Sequence, residues 1–398
     1  MSPSERPDGS IRLSRAVAIA VAIIVAVAAC MKPIASAPAT AENGQQIFRF
    51  DTFGDEQFWT DTLHLERVVQ QAVDPTTALT VGLKVDMDAL PAAVVEGIKQ
   101  GQVDLKSPAT TVTLLKLNAV VGVKGTVETI GGKDTLTRLG ITCAFCHSTV
   151  DDAFAKGIGH RKDGWPNHDL NVGAIVALSP AVTAAQKAVY NSWGPGMYDP
   201  RYNLDGKSTP LAIPPAYGLA AIANETVTAE GPISYWNAYV AVTQMHGHGN
   251  FADRRIGVNI RQEPDLVTSK LAALRVYQHS LAAPAPPSGS FDAVAALRGR
   301  STFNANCIRC HVGASLTDNN AGVLHAPSET GMDGRYAMRT ATKMHRTTPL
   351  RALWQHAPYF HDGSAKTLMD VVDHYNTVRK LGLTDVQKRE LVEYLKSL

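Results

Sequence analysis

Two copies of the pattern Cys-x-x-Cys-His constrain this chain more than any other feature of its sequence. They are Cys143-Ala-Phe-Cys146-His147 and Cys307-Ile-Arg-Cys310-His311, and together they use four of the five cysteines. Two thiols at this spacing can form thioether bonds to the two vinyl groups of one haem, and the imidazole that follows then lies near the iron. We therefore expect two covalently attached c-type haems, with His147 and His311 as the proximal iron ligands.

Other uses of paired cysteines fit this pattern less well. A structural zinc site would combine two pairs into one tetrahedral set, whereas these pairs lie far apart and each carries its own histidine. A thioredoxin-like redox pair does not need the histidine and rarely occurs twice. Structural disulfides form in exported proteins, but a histidine after both pairs would then be a coincidence. Covalent haem attachment accounts for all of these features together.

The N-terminal segment has the features of an export signal. Arg6, Arg12 and Arg15 precede an uninterrupted apolar run at residues 16–29. This run is short for a membrane-spanning helix but suits the apolar region of a secretory signal. We predict a signal peptide over residues 1–30. Export agrees with the haem motifs, because c-type haems are attached outside the cytoplasm.

Two cleavage sites compete at the end of this signal. The string Val27-Ala-Ala-Cys30 resembles a lipobox, which would leave Cys30 as an acylated N-terminus that anchors the protein to a membrane. The string Ala39-Thr-Ala41 would instead release a soluble protein, and an uncleaved anchor is a third alternative. Residues 31–46 are predicted to form a tether. Both cleavage sites predict a periplasmic protein.

The rest of the chain is long enough for two domains, each with its own core. With 45% hydrophobic and 19% charged residues it is typical of a globular protein, and a net charge of +2 gives no sign of nucleic-acid binding. The Pro-rich stretch 282–289 is predicted to be a linker. It separates an N-terminal haem domain at 47–281 from a C-terminal haem domain at 290–398. We expect both domains to be mainly α-helical.

Long loops enlarge the predicted N-terminal domain. Apolar stretches with helical periodicity alternate there with segments rich in Gly and Pro. One long connection, residues 192–215, contains Gly-Pro-Gly and Ile-Pro-Pro strings. Such a connection is typical either of a loop that wraps a cofactor or of a plain surface excursion.

The predicted C-terminal domain has the pattern of a class I cytochrome c. Its last helix begins at the capping box Thr384-x-x-Gln387 and has one apolar face. In cytochromes c the first and last helices cross, and a small residue on one lets an aromatic side chain of the other approach. Gly299 and Tyr394 fit these two roles. We therefore expect the two terminal helices of this domain to cross near Gly299.

Three strings in this C-terminal part closely resemble the bacterial dihaem cytochrome c peroxidase/MauG superfamily. They are Thr347-Thr-Pro-Leu-Arg351, Ala357-Pro-Tyr-Phe-His-Asp-Gly363 and Thr367-Leu-Met-Asp-Val-Val-Asp-His-Tyr-Asn376. The match is specific over about residues 303–398. The N-terminal part is longer and more divergent, and it also resembles rubber-oxygenase-like relatives. The resemblance implies a redox protein with two haem domains.

The resemblance also implies roles for residues outside the haem motifs. The string Gly157-Ile-Gly-His160 resembles the segment that carries the distal histidine of the peroxidatic haem, and Trp236 corresponds to a tryptophan between the two haems. Arg351 would contact a haem propionate, which suits its planar guanidinium. The alternative is a solvent-facing arginine. An interdomain calcium ion occurs in the superfamily, but its ligands are not identifiable in this sequence.

The sixth ligand of the second haem has two main candidates, Tyr375 and Met344, with Met338 as a weaker third. The resemblance places it at Tyr375, a position that holds Met in the peroxidases and Tyr in MauG. Tyr375 lies on the apolar face of a helix that begins at the capping box Thr367-x-x-Asp370, so it points inward whether it binds iron or only packs. Met344 competes, because Thr342-Lys-Met344 resembles the methionine loop of cytochromes c. A thioether ligand raises the reduction potential, whereas a phenolate favours ferric iron.

At the first haem, His160 is the candidate distal ligand and catalytic group. The superfamily also supplies a catalytic glutamate, which has no clear counterpart here. His246 and His248 are candidate acid–base groups in its place, although two histidines at this spacing also occur in ordinary loops. His361, in the His-Asp-Gly turn, is expected to be structural.

These features predict a peroxidase-like redox enzyme. The N-terminal haem would react with peroxide or oxygen, and the C-terminal haem would relay electrons from a redox protein partner, with Trp236 between them. A non-enzymatic electron carrier is one alternative, and a haem oxygenase or oxidase with an organic substrate is another. An open iron at the first haem would separate either enzyme from the carrier.

Overall fold

Helices form most of the regular structure in residues 38–398, the part of the chain that the computed structural model describes. The predicted signal peptide, Cys30 and residues 31–37 of the predicted tether lie outside the described residues. Within residues 38–398 no helix is long and apolar enough to cross a membrane.

The helices are short and are joined by long loops. Before the predicted linker they are α1 (Ala41–Phe50), α2 (Leu65–Ala72), α3 (Pro75–Thr80), α4 (Ala92–Lys99), α5 (Pro108–Lys116), α6 (Ala144–His147), α7 (Val172–Ala177), α8 (Ala184–Asn191), α9 (Tyr202–Asp205), α10 (Ile233–Thr243) and α11 (Leu271–Ser280). After it they are α12 (Ala293–Asn306), α13 (Pro327–Thr330), α14 (Leu368–Val378) and α15 (Asp385–Lys396). A π-helix spans Gln57–Thr62, and short 3-10 turns lie at Met87–Ala89, Arg254–Ile256, Thr268–Lys270, Asn319–Ala321, Ala337–Arg339 and Leu353–Gln355.

Two-stranded sheets add a β component to the N-terminal part. The antiparallel pairs are β2 (Val123–Ile130) with β3 (Lys133–Ile141), β4 (Ser148–Val150) with β6 (Arg161–Asp163), β7 (Met197–Tyr198) with β8 (Leu211–Ala212), and β9 (Phe251–Asp253) with β10 (Val258–Ile260). The parallel pair is β1 (Val85–Asp86) with β5 (Ile158–Gly159). The mainly α prediction therefore holds for residues 290–398 but is incomplete for the N-terminal part, which mixes helices and strands.

The hairpin β2–β3 carries the chain to the first haem motif. Its register pairs Val123 with Ile141 and closes at Ile130 and Lys133. The two residues between them, Gly131 and Gly132, have φ of 60° and 78°. A two-residue hairpin turn with positive φ at both positions is the conformation that Gly-Gly favours. The strand β3 ends at Ile141, so the motif starts two residues beyond a fixed point of the sheet.

The main core of the N-terminal part lies under this hairpin. Helices α2 and α5 and the π-helix pack against β2 and β3. Fully buried apolar side chains fill the space between them, among them Trp59, Leu65, Val112, Leu115 and Leu139. These residues form a continuous cluster that lies outside both Cys-x-x-Cys-His motifs. The N-terminal part therefore has an apolar core of its own.

The first and last helices of the C-terminal part, α12 and α15, cross as predicted. A Cβ atom on Gly299 would lie 2.0 Å from the carbonyl oxygen of Glu390, so only glycine allows this close approach. The aromatic contact is made one turn away, where the rings of Phe303 and Tyr394 pack edge to face with centroids 5.1 Å apart. The two predicted capping boxes are also confirmed, at Thr367/Asp370 and Thr384/Gln387.

The predicted linker packs against residues on both of its sides. The indole Nε1 of Trp354 donates to the carbonyl oxygen of Pro284 at 3.4 Å. Just before the linker, Gly218 donates its N–H to the carbonyl oxygen of Leu281 at 2.7 Å. The described residues form one compact unit. The boundary at 282–289 stays a prediction.

Candidate haem-binding sites

The first motif is a single helical turn held between a strand and a loop. Helix α6 contains the last residues of the motif and follows β3 directly. The carbonyl oxygen of Cys146 accepts a hydrogen bond from the N–H of Asn167 at 2.9 Å, and that of His147 accepts one from Gly164 at 2.8 Å. These contacts fix the motif on the loop at 164–167.

The His147 imidazole is oriented by a residue far away in the chain. Its Nδ1 lies 2.9 Å from the carbonyl oxygen of Pro214, and because a carbonyl can only accept, Nδ1 carries the proton. No hydrogen bond to Nε2 is present among residues 38–398. Although the ring is partly accessible to solvent, desolvation by the surrounding protein lowers the pKa of His147 to about 4, against a smaller opposing effect of Pro214. A neutral imidazole whose Nδ1–H is held by a carbonyl is the usual state of an iron- or zinc-binding histidine.

Pro214 belongs to the long connection at 192–215. The contact with His147 therefore shows that this connection reaches the first motif and is more than a surface excursion. Ile213, the residue before Pro214, is buried with Phe145, Leu170 and Val172 in a small apolar cluster beside the motif. The loop thus encloses one side of the candidate site.

The second motif begins where α12 ends. The N–H of Cys307 donates to the carbonyl oxygen of Phe303 at 2.7 Å, and the N–H of His311 donates to that of Cys307 at 3.1 Å. The Nδ1 of His311 lies 2.9 Å from the carbonyl oxygen of Leu316, five residues further on. Desolvation lowers the pKa of His311, with a smaller opposing effect of Leu316. Both motifs therefore hold a neutral imidazole through the same kind of contact.

All four motif cysteines are free thiols rather than disulfides. Burial raises the pKa of Cys143 and Cys146 to about 12 each. It raises the pKa of Cys307 to about 11, with a smaller contribution from Cys310. A metal site made of thiolates would need charged sulfur, which these surroundings disfavour, whereas a thioether sulfur carries no charge. The environment of the cysteines thus fits thioether attachment of haem.

The structure brings Tyr375 close to the second motif. Its phenol is largely enclosed, and desolvation raises its pKa to about 12, with Arg379 lowering it and the thiols of Cys310 and Cys307 raising it further. No hydrogen bond to its hydroxyl is present among the described residues. The ring of Phe360, from the His-Asp-Gly turn, packs edge-on against it with centroids 6.1 Å apart. Tyr375 therefore lies beside the second motif, and its role as the sixth ligand stays a prediction.

The competing Met344 is half-buried in a turn where its N–H donates to the Thr342 hydroxyl at 3.3 Å. The next residue, His345, pairs with His325 through two backbone hydrogen bonds. The choice between Tyr375 and Met344 stays a prediction.

His160 lies at the surface in this conformation. It directly precedes β6, which pairs with β4, the strand that follows His147. Its Nδ1 is 2.9 Å from a carboxylate oxygen of Asp88, and 54% of its side chain is exposed. The hydrogen bond and charge of Asp88 raise the pKa of His160. The role of distal ligand stays a prediction, and it would require His160 to leave Asp88.

The remaining catalytic candidates each contact a different residue. Trp236, on α10, is half-buried and stacks on the buried Tyr239 with centroids 5.0 Å apart. His246 stacks on Phe58 at 3.7 Å, and desolvation lowers its pKa to about 4. His248 instead donates its Nδ1–H to the carbonyl oxygen of Pro264, at 2.8 Å. Each histidine thus has its own neighbour, and their catalytic roles stay predictions.

The segment around Arg351 contains two residues that sequence reasoning missed. Arg351 itself is half-buried and lies against Gly218, with no hydrogen bond from its guanidinium to the described residues. Arg346 has two buried nitrogen atoms without a hydrogen-bond partner, and so does the buried His345. His345 packs on His361 with ring centroids 4.7 Å apart. The only sequence signal for either residue is its position just before the Thr347–Arg351 string.

One group of potential metal-ligand atoms occurs within residues 38–398. The side chains of Cys310, Asp318 and His325 bring one donor atom each within 4.8 Å of one another. His325 also hydrogen-bonds Asp318 at 2.9 Å. A sulfur donor does not suit calcium, which prefers oxygen, and the sequence assigns Cys310 to haem attachment instead. This group does not identify the calcium site that the resemblance implies.

The chain is similar in sequence to MauG, the methylamine utilization protein of Methylophilus methylotrophus. The two are 29% identical over 121 residues, which is 26% of this chain and 36% of MauG. The chain thus spans about a third of the length of this curated relative. The similarity supports the resemblance to the dihaem cytochrome c peroxidase/MauG superfamily. No protein-family model matches the chain.

Two solved structures resemble parts of the chain. Hydrazine synthase of Kuenenia stuttgartiensis is 20% identical, with a TM-score of 0.37, and the match covers 52% of this chain and 78% of that one. A MauG-like protein associated with microbial copper homeostasis is 21% identical, with a TM-score of 0.27, over 34% of this chain and 55% of that one. Both TM-scores are too low to establish a common fold.

Proposed function

We propose that this protein is an exported dihaem c-type cytochrome that works as a peroxidase-like redox enzyme. One observation carries the proposal. In both Cys-x-x-Cys-His motifs the histidine donates Nδ1–H to a backbone carbonyl at 2.9 Å, which leaves Nε2 free for iron. The enclosed free thiols beside each histidine fit the two thioether bonds of a c-type haem.

The chain's own residues would divide the work between two sites. Bound haem supplies one-electron exchange and, where an axial position is open, reaction with peroxide. At the second site, Tyr375 would occupy the distal side and favour the ferric state. At the first site, His160 would be the distal residue, and its bond to Asp88 would keep it away from the iron. We therefore assign catalysis to the N-terminal site and electron relay to the C-terminal site, with Trp236 between them.

Spectroscopy of the purified protein tests this assignment. A pyridine haemochrome assay should find two haems per chain, and electron paramagnetic resonance of the half-reduced protein should show one high-spin iron that responds to hydrogen peroxide. If both haems stay low-spin and peroxide leaves the spectrum unchanged, the peroxidase assignment fails and an electron carrier remains.

The ligand of the second haem can be tested by substitution. Tyr375→Phe should change the spectrum of that haem, whereas Met344→Ala should leave it unchanged. The reverse result would assign Met344 instead, and a spectrum insensitive to both changes would contradict both assignments. His361→Gln is a matched control in the same part of the fold, because His361 is expected to be structural.

A further inference from the structure

Arg346 is a half-buried residue whose guanidinium group has unused hydrogen-bonding capacity. Its Nη2 donates to the carbonyl oxygen of Glu225 at 2.9 Å. Its Nε and Nη1 are buried, and neither has a hydrogen-bond partner within residues 38–398. Leaving two donors of a charged group unpaired in the protein interior is strongly unfavourable. The local structure therefore points to an acceptor that the chain itself does not provide.

The nearest carboxylate is already committed to other groups. One oxygen of Glu225 accepts from the N–H of Ile233 at 2.7 Å, and the other lies 2.9 Å from Nε2 of His279. Desolvation lowers the pKa of Arg346 to about 10, Glu225 opposes this, and Arg351 lowers the pKa further. Arg346 and Arg351 thus lie close enough to repel each other.

Arg351 is the second cation of this pair. Its side chain packs against Gly218, where a Cβ atom would lie 3.1 Å from the Arg351 Cδ. No hydrogen bond joins its guanidinium to the described residues, and desolvation lowers its pKa. Two guanidinium groups five residues apart in one segment, neither hydrogen-bonded to a carboxylate, suit an anion, and a carboxylate matches their planar geometry best.

This pair lies beside the second haem motif. Thr347, the residue after Arg346, accepts a hydrogen bond through its carbonyl oxygen from the Thr317 hydroxyl at 2.6 Å. Thr317 directly follows Leu316, whose carbonyl holds His311. Leu350 packs in the same apolar cluster as Phe303 and the partly buried Cys307. The segment 346–351 therefore runs along the site where the second haem would be attached.

We propose that Arg346 joins Arg351, whose propionate contact the resemblance already implies, in binding the propionate carboxylates of the haem attached at Cys307 and Cys310. This inference rests on the proposed function, because it requires that haem. Arg346 is a positioning residue, and its Nη2 is fixed by the Glu225 carbonyl of the N-terminal part. A residue anchored on the N-terminal part thus holds the propionate edge of the C-terminal haem. Its positive charge favours the reduced iron and raises the reduction potential of that haem alone.

Spectroelectrochemical titration of the holoprotein tests this assignment. Arg346→Gln and Arg351→Gln should each lower the potential of the second haem. At its wild-type midpoint the ratio of ferric to ferrous iron should rise roughly tenfold, the size expected for a unit charge about 10 Å away in a protein interior. Arg346→Lys keeps the charge and should recover most of the shift. Arg335→Gln removes an exposed cation paired with Asp333 and should change neither potential.

Several results would overturn the inference. They are a shift confined to the first haem, unchanged potentials in folded Gln variants, and an Arg346→Lys variant as shifted as Arg346→Gln. If the arginines bound a free anion instead of a propionate, added phosphate at constant ionic strength would shift the reduction potential of the wild type but not that of the Gln variants. That result would also contradict the inference. The haemochrome assay separates the two proposals, because a wild-type protein without two haems contradicts the proposed function first. If Arg346→Gln does not fold, Arg351→Gln and Arg346→Lys still decide the question.

Discussion

The two Cys-x-x-Cys-His motifs reach the same local geometry by different routes. In the C-terminal motif, His311 is held by Leu316, five residues further along the chain. In the N-terminal motif, His147 is held by Pro214, which is 67 residues away. The proximal histidine of the C-terminal site is therefore held within one continuous segment, whereas that of the N-terminal site depends on a long loop folding back over it.

The two candidate distal residues, Tyr375 and His160, also differ in their surroundings. Tyr375 is enclosed beside Cys307 and Cys310, on a helix whose first turn is fixed by a capping box. His160 is half exposed and bonded to Asp88. A half-buried residue on a capped helix suits a permanent ligand, whereas a surface histidine with an alternative partner suits a ligand that can leave. This contrast agrees with electron relay at the C-terminal site and catalysis at the N-terminal one.

The largest expected difference between the two parts should appear when each haem attachment is removed separately. Cys307→Ser/Cys310→Ser should lose one haem per chain and unfold residues 290–398, because Cys307 belongs to the core cluster of Phe303, Leu391 and Leu395. Cys143→Ser/Cys146→Ser should also lose one haem but keep the cluster around Trp59, which contains no cysteine of the motif although the Trp59 ring packs edge-on against Phe145 at 6.3 Å. The haemochrome assay measures haem content, and limited proteolysis followed by mass spectrometry maps the unfolded part.

Equal proteolysis of both double variants would show that the two parts depend on haem to the same degree. A double variant with the wild-type haem content would contradict covalent attachment at that motif.

The crossing of α12 and α15 gives the next largest effect. Gly299→Ala would place a methyl group 2.0 Å from the Glu390 carbonyl oxygen, so the helices must separate. We expect the free energy of unfolding to fall by about 3 kcal/mol, typical of overpacking in a core. Gly97→Ala, on the N-terminal helix α4, is the matched control. Its added methyl group would meet only a side-chain atom of Val103, at 3.2 Å, and Ala is the better helix former.

Urea denaturation followed by circular dichroism measures both changes. A Gly299→Ala variant as stable as the wild type would mean that α12 and α15 do not depend on this contact.

The sequence predicted local features of both parts well. Both capping boxes and the close approach at Gly299 depend on residues within one turn of each other or on a single small side chain. A short stretch of sequence is therefore enough to predict them. The same is true of Tyr375, whose inward direction follows from the apolar face of its own helix.

Features that depend on distant residues were missed or incomplete. The bond from His147 to Pro214 and the unpaired nitrogens of Arg346 appear only once the chain has folded, because each is defined by groups far away in sequence. The N-terminal strands were also missed. Apart from the β2–β3 hairpin they are only two or three residues long, too short for a period-2 pattern to stand out. The Gly131-Gly132 turn was the signal that could have revealed the hairpin.

The smallest expected effect is on the pH dependence of stability. It concerns a contact between the N-terminal and C-terminal parts. The Nε2 atom of His356, in the C-terminal part, lies 3.1 Å from the hydroxyl oxygen of Tyr217, in the N-terminal part. Desolvation lowers the pKa of His356 to about 4, and His168 lowers it further. A lowered pKa means that folding favours the neutral ring. Its contribution to stability is complete above the unfolded value of about 6.5 and is lost as the pH falls towards 4.

Between pH 7.5 and pH 5.5, the free energy of unfolding of the wild type should therefore fall by about 1 kcal/mol more than that of the His356→Gln variant. His160→Gln is the control, because the pKa of His160 is raised by Asp88 and its contribution is lost as the pH rises instead. Urea denaturation at the two pH values measures the difference. If His356→Gln and the wild type lose the same stability on acidification, His356 is already protonated in the fold, and the contact between the two parts does not depend on a neutral imidazole.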